Sequence, residues 1–184
     1  DGKVWDPNSH GISDYDEKDF IDVYGEVISY NGNLQLNIKQ LRVAGEDEYN
    51  AADYMPTSEK SVDGMYAELL GYVSQVENPY LQQVLQYYFV KDEDFIKSFK
   101  AHSAAKSVHH GFAGGLLEHT LSVVKLCEYY VGAYPILNKD LLFTAAICHD
   151  IGKTKELSTF PENDYTDDGQ LLGHIVIGTE MMSD

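Results

Sequence analysis

Across the acidic connection Gly45–Asp53 and the Met55-Pro56 that follows it, the spacing of apolar residues changes from two to three or four. One type of secondary structure cannot carry both patterns, so the chain divides there into a strand-rich part and a helical part. Before the change, Phe20 to Tyr30 alternates through Ile21, Val23, Gly25 and Val27, and Leu34, Leu36 and Ile38 alternate beyond Asn31-Gly32. Asn-Gly predicts a two-residue hairpin turn, since both central residues of a type I′ turn need positive φ. The apolar phase then slips to Leu41 and Val43, which predicts a bulge near Lys39-Gln40. A short strand over Lys3-Val4-Trp5 precedes the turn at Asp6-Pro7-Asn8. Three strands suit a piece of a small curled barrel but are too few to close one, so this part is expected to be truncated at its N-terminal side.

After the change, Met65, Leu69, Leu70, Val73 and Val76 predict one helix, stopped at Asn78-Pro79. A second runs from Tyr80 through Leu81, Val84, Leu85 and Tyr88, and a short third covers Asp94 to Lys100. From Gly114 onward everything is expected to be helical. Leu117, Leu121 and Val124 mark one face, and Leu116, Val123 and Tyr130 another. Asp140 is expected to cap the next helix, whose residues Leu141, Leu142, Phe143, Ala145, Ala146 and Ile147 are apolar nearly all round, the pattern of full burial. The last helix is expected to begin near Gly169.

Composition narrows the possible functions. The 14 Tyr, seven Phe and one Trp among 184 residues exclude a solvated coil. No apolar run reaches the length of roughly 20 residues that crosses a bilayer, and no secretory signal is visible, so no membrane partner is expected. Cys127 and Cys148 sit in apolar helical patterns, as buried thiols do in a reducing cytoplasm. The net charge of −17 argues against a general duplex-DNA binder. The stretch from Phe95 to Gly111 differs: it carries Lys97, Lys100, Lys106, His102, His109 and His110 and no acid. On charge alone it reads as a solvated helix edge; its place just before the chemical motif gives it interest.

That motif is Cys148-His149-Asp150-Ile151-Gly152-Lys153, at the end of the apolar helix. Imidazole with carboxylate suits a divalent first-row metal. Adjacent residues on a helix point about 100° apart, so His149 and Asp150 converge on an ion only near a helix end, and Gly152 permits a bend there. Lys153 is close enough to bring a point charge to a bound phosphate. A bare His-Asp pair commonly does no more than hydrogen-bond, but His119 and His174 also lie inside apolar helices, and buried histidines need partners. Three such histidines and one Asp on successive helices point to a metal.

His119 followed by His149-Asp150 resembles the opening of the HD-domain phosphohydrolase signature. The strings Ala105-Lys106-Ser107-Val108-His109-His110, Gly114-Gly115-Leu116-Leu117-Glu118-His119-Thr120 and Tyr165 to His174 resemble the YhaM-type 3′–5′ exoribonucleases, which couple an OB-fold to an HD domain. Leu34 to Ile38 and Ala52 to Pro56 resemble that family's OB strand and connector. The resemblance implies an α+β chain: a partial OB-like barrel segment with nucleic-acid-binding character over residues 1–55, a helical connector over 56–104 and a C-terminally incomplete, all-helical HD domain over 105–184. It implies metal ligands at His119, His149 and Asp150, a second-metal histidine at His174, and a phosphate contact at Lys153, with Asp150 and Lys153 as the catalytic pair. Lys106, His109 and His110 match a further family string. The family's later His-His segment and final metal-binding Asp do not occur before Asp184, so the chain is expected to be an internal fragment with weak or no activity by itself.

The activity implied is hydrolysis of single-stranded RNA, or DNA, to nucleoside 5′-monophosphates by a divalent ion. Mn²⁺ is the first candidate, with Mg²⁺, Fe²⁺, Co²⁺ and Zn²⁺ open. Trp5, Tyr24 and Tyr30 are candidates for stacking bases, against the plainer reading of barrel core or surface filler. Lys97, Lys100, Lys106, His109 and His110 would guide the 3′ end. Apolar surface left by an unfinished barrel and helical core favours self-association into a homo-oligomer. Two alternatives use the same residues: an HD phosphohydrolase of small nucleotides, and a non-catalytic single-strand binder with a structural metal.

Overall fold

The computed structural model describes residues 2–7, 9–16, 19–45, 47–50, 53–54, 58, 60–106, 110–160 and 162–183. His109, Ser107-Val108 and most of the Ala52 to Pro56 string lie outside the described residues. The chain forms two compact units, Asp1–Tyr54 and Met55–Asp184, each described by itself below.

The first unit holds a three-stranded sheet in the order β1-β3-β2, with β1 Gly2–Val4, β2 Ile21–Tyr30 and β3 Asn33–Val43. β2 and β3 are antiparallel and β1 runs parallel to β3. Asn31 and Gly32 both have positive φ, 51° and 80°, as the hairpin turn requires. Pairing steps from Tyr24↔Gln40 to Gly25↔Ile38, so Lys39 is the extra residue of a bulge at the expected place. That one residue returns Leu41 and Val43 to the face of Leu34, Leu36 and Ile38. Cover on this face is uneven: Leu41 is 3% exposed, beside a backbone pairing with Gly11 and Ser13, Leu36 and Ile38 are partly buried, and Leu34 is 75% exposed. The sheet is open, and no closed barrel forms among the described residues.

The second unit is helical: α1 Val62–Val73, α2 Pro79–Gln86, α3 Glu93–Ala101, α4 Gly115–Ala133, α5 Lys139–Cys148, α6 Lys153–Glu156, α7 Asp167–Leu171 and α8 Gly173–Met181. A π-helical turn, Tyr87–Lys91, extends α2. Side chains of Ser61, Asn78, Asp92, Asn138 and Thr166 accept hydrogen bonds from free N–H groups of the first turns of α1, α2, α3, α5 and α7. Leu69, Val73, Leu85, Phe89, Phe99, Leu116, Leu117, Val124, Phe143, Ile147 and Ile151 make the centre of one continuous core. No helix among the described residues is long and apolar enough to cross a membrane.

Several expectations need correction. Asn138, not Asp140, caps α5. The Asp140 carboxylate instead accepts from the backbone N–H groups of Glu77 (3.0 Å) and Asn78 (2.7 Å), tying the α1–α2 turn to α5. α5 is not fully buried, because Leu141 and Ala145 face outward with Ile175 and Val176 of α8. Apolarity all round shows that a helix can be covered on every side, not that it is. The region after Gly114 is not wholly helical. The described residues between 157 and 166 are not helical: Leu157 and Tyr165 form a bridge, and Asn163 has positive φ and donates to the carbonyls of Ala105 and Lys106. The final helix is two, α7 and α8, broken at Gly173 with φ +75°.

Gly152 also acts differently from expectation. Its backbone is right-handed helical, with φ −62° and ψ −18°, so it supplies no bend. A Cβ there would stand 2.1 Å from the carbonyl oxygen of His174 and 2.7 Å from the Gly178 nitrogen. Its lack of a side chain is what lets α8 pack directly on the turn after α5.

Two outcomes are expected. Gly152→Ala should lower unfolding free energy in urea by about 1–3 kcal/mol, the usual range for overpacking; an unchanged midpoint would contradict this close approach. Burial pushes the Cys148 thiol up to about 12 and raises that of the half-buried Cys127 less far. Since the thiolate is the reactive form, iodoacetamide at pH 8 should label Cys127 first, as read by mass spectrometry. Earlier labelling of Cys148 would contradict the packing of α5.

Candidate metal centre

His119 lies in the second turn of α4, and His149 is the residue at which α5 ends. The chain continues through a helical turn, with the Lys153 N–H donating to the Asp150 carbonyl at 3.0 Å. Ending α5 at this point allows neighbouring residues 149 and 150 to face the same side. The His119 and His149 Nε2 atoms are 3.2 Å apart, and the Asp150 Oδ2 atom is 3.5 Å from the first and 3.3 Å from the second. The donor atoms of these three residues lie within 4.8 Å of one another. The other Asp150 oxygen, Oδ1, is 3.5 Å from Nε2 of His174 on α8.

These spacings bear on whether the groups merely satisfy each other. Charge-assisted hydrogen bonds close to about 2.7–2.9 Å, and none of the contacts to Asp150 is that short. His149 Nδ1 instead donates to the Ala146 carbonyl at 2.8 Å, which leaves its Nε2 lone pair facing the cluster. Backbone support of one ring nitrogen is the usual way a metal-binding histidine is oriented. Asp150 is buried at 6% exposure, while the histidines are about one-third exposed. Two imidazole nitrogens and one carboxylate oxygen fit a divalent first-row ion and leave coordination positions on the exposed side. The histidines are therefore not core residues, as their apolar flanks implied, but line an opening. An apolar groove lined by Leu81, Leu141, Ala145, Cys148, Ile175 and Met182 reaches His149.

The local field acts on these groups in different directions. Burial lowers the pKa of His119 against the opposing pull of Asp150. The interaction with Asp150 raises that of His149. Burial by itself would raise the Asp150 carboxyl, but His149, Lys153 and His174 outweigh it and hold the carboxyl below its ordinary value. Lys153 is largely buried, with Nζ 3.6 Å from Oε2 of Glu156.

The other predicted residues are more dispersed. The His110 ring stands 5.5 Å from that of His119, centroid to centroid, and its Nδ1 is buried without a hydrogen-bond partner among the described residues. Lys97 is exposed on α3. Lys100 pairs with Asp63 and Lys106 with Asp164, each at 2.6 Å, so acids distant in sequence neutralise part of the acid-free stretch. In the strand-rich unit Trp5, Tyr24 and Tyr30 are 66%, 67% and 59% exposed, and Lys3 lies over the Trp5 ring. They are surface residues rather than barrel core. Sequence reasoning missed Glu156, buried at 6% exposure and hydrogen-bonded to His174 through its Oε1. In the sequence Glu156 only ends the charged run Lys153-Thr154-Lys155-Glu156, which carries no signal of burial. His102, noted in the sequence only as part of the acid-free stretch, is buried with Nδ1 2.8 Å from the Ser98 carbonyl and Nε2 3.2 Å from the Leu157 carbonyl.

Comparison with known proteins agrees with this geometry. Residues 116–184 match the family model described as HD domain. The chain is 35% identical over 178 residues to a protein named 3'-5' exoribonuclease YhaM from Geobacillus sp. (strain WCH70). The alignment covers 96% of this chain and 54% of that relative, so the chain spans about half the relative's length. No solved structure matches. His119, His149 and Asp150 thus converge inside the region that is similar to HD domains, in a chain that is similar over most of its length to a YhaM-type protein.

Proposed function

We propose that this chain carries the metal centre of a 3′–5′ exoribonuclease that hydrolyses single-stranded RNA to nucleoside 5′-monophosphates in the cytoplasm. The observation that carries the reading is the convergence of His119, His149 and Asp150 on one opening, beside Lys153, in a chain 35% identical to a protein of that name. A divalent ion, Mn²⁺ first among the candidates, would supply an acidified water and neutralise charge at the phosphate. His119, His149 and Asp150 would hold it, and His174 would serve a second ion through the other Asp150 oxygen. Lys153 brings a fixed positive charge for a non-bridging phosphate oxygen. Its burial withdraws that charge from solvent screening.

The exposed Trp5, Tyr24 and Tyr30 favour a polymer over a mononucleotide substrate, because each base of a single strand can stack on an aromatic face. Lys97 and His110 would contact the backbone near the opening, while Lys100 and Lys106 would first have to exchange their carboxylate partners for phosphate. The net charge of −17 makes a local ion necessary for attracting RNA.

Incubation of the intact protein with 5′-labelled single-stranded RNA and Mn²⁺ should give a ladder shortened from the 3′ end. His149→Ala and Asp150→Asn should abolish it, and Lys153→Ala should lower kcat by about 10²–10³-fold, the scale of a lost charge-stabilising donor. No ladder but turnover of free nucleotides, or a ladder unchanged in His149→Ala, would overturn the reading. Trp5→Ala and Tyr30→Ala should weaken RNA binding by about 1–3 kcal/mol per stacked base and leave the metal affinity unchanged. Unaltered RNA affinity in both would remove the strand-rich unit from substrate binding.

A further inference from the structure

Glu156 is the last residue of the four-residue α6, and its main chain is clamped. Its carbonyl accepts from Thr166 N at 3.0 Å and from the Thr166 hydroxyl at 3.3 Å. The backbone of Gly169 rests on the same carbonyl so closely that a Cβ there would stand 2.1 Å away. The carboxylate is thereby directed at the start of α8. Its Oε1 accepts from the backbone N–H of His174 at 3.0 Å and faces Nδ1 of the same residue at 2.9 Å. Its Oε2 is 3.6 Å from Lys153 Nζ. One buried side chain thus contacts both Lys153 and His174, the histidine that faces Asp150 Oδ1.

A carboxylate offers only acceptor sites, so the 2.9 Å contact places the proton of a neutral His174 ring on Nδ1. The lone pair then sits on Nε2, which faces Asp150 Oδ1 at 3.5 Å. Two acceptors oppose each other across a gap too wide for a hydrogen bond. The two oxygens of Asp150 divide the space, with Oδ2 toward His119 and His149 and Oδ1 toward His174.

We propose that Glu156 is a positioning residue that fixes His174 as the Nδ1–H tautomer and so presents Nε2, together with Asp150 Oδ1, as a second divalent-cation position, while holding Lys153 beside it. This rests on the reading that the cluster takes divalent ions, and not on the identity of the substrate. Carboxylate support of a ligand histidine is worth about 10–100-fold in metal affinity where it has been removed.

The test uses the intact protein labelled with ¹⁵N-histidine, free of metal, at neutral pH. Long-range ¹⁵N–¹H correlation should show His174, assigned by its loss in His174→Asn, with a protonated Nδ1 and an unprotonated Nε2. Glu156→Ala should release the ring to a tautomer mixture. Glu156→Gln should retain the Nδ1–H form, since its carbonyl can take over both hydrogen bonds that Oε1 now accepts. Mn²⁺ titration followed by electron paramagnetic resonance should show the second ion weakened about 10–100-fold in Glu156→Ala, with the first unaffected and Glu156→Gln close to wild type. A protonated Nε2 in the wild-type protein overturns the proposal; this measurement stands even if Glu156→Ala does not fold. An unchanged tautomer and unchanged second-ion affinity in Glu156→Ala overturn it equally. Failure of RNA hydrolysis leaves these readouts intact, so the two readings fail separately.

Discussion

A buried carboxylate faced by three imidazoles organises the helical unit around residue 150. Asp150 is 6% exposed and has histidine nitrogens from α4, the end of α5 and α8 within 3.5 Å. Removing a charge from water is costly unless it is compensated. Here the Lys153 ammonium supplies part of that compensation, without a tight ion pair to the carboxylate. The arrangement therefore leaves the carboxylate ionised and able to accept a stronger partner. A divalent ion is such a partner, and the spacing between the donor groups leaves room for one.

The surrounding fold is arranged to hold this geometry. α5 ends at the residue where two consecutive side chains can share a side, and its Ala146 carbonyl orients His149. α8 approaches because Gly152 offers no side chain against the His174 carbonyl. The break at Gly173 between α7 and α8 places the His174 backbone N–H and ring on the same Glu156 oxygen. Each device acts through backbone contact, so the donor positions are set by the packing of whole helices rather than by flexible loops.

Much of this was legible from residue spacing. The hairpin at Asn31-Gly32 and the bulge at Lys39 follow from local backbone requirements, which a short sequence window contains. His119 and His149-Asp150 stood out because polar side chains interrupt apolar helices, and the structure brings them together. What could not be read depended on partners distant in sequence. Asp140 resembles a helix cap but serves backbone groups some sixty residues earlier. Lys100 and Lys106 look unopposed until Asp63 and Asp164 fold onto them. Glu156 gained its role only when α8 folded back across it. Apolarity all round α5 could not show which of its sides finds a neighbour.

The decisive measurement is X-ray absorption at the metal edge on protein loaded with one equivalent of Co²⁺ or Zn²⁺. The account predicts a nitrogen/oxygen shell at about 2.0–2.2 Å with imidazole scattering from His119 and His149, lost together with binding in the doubly substituted His119→Ala, His149→Ala protein. A bound ion surrounded by oxygen alone, or one retained unchanged in that variant, would contradict it.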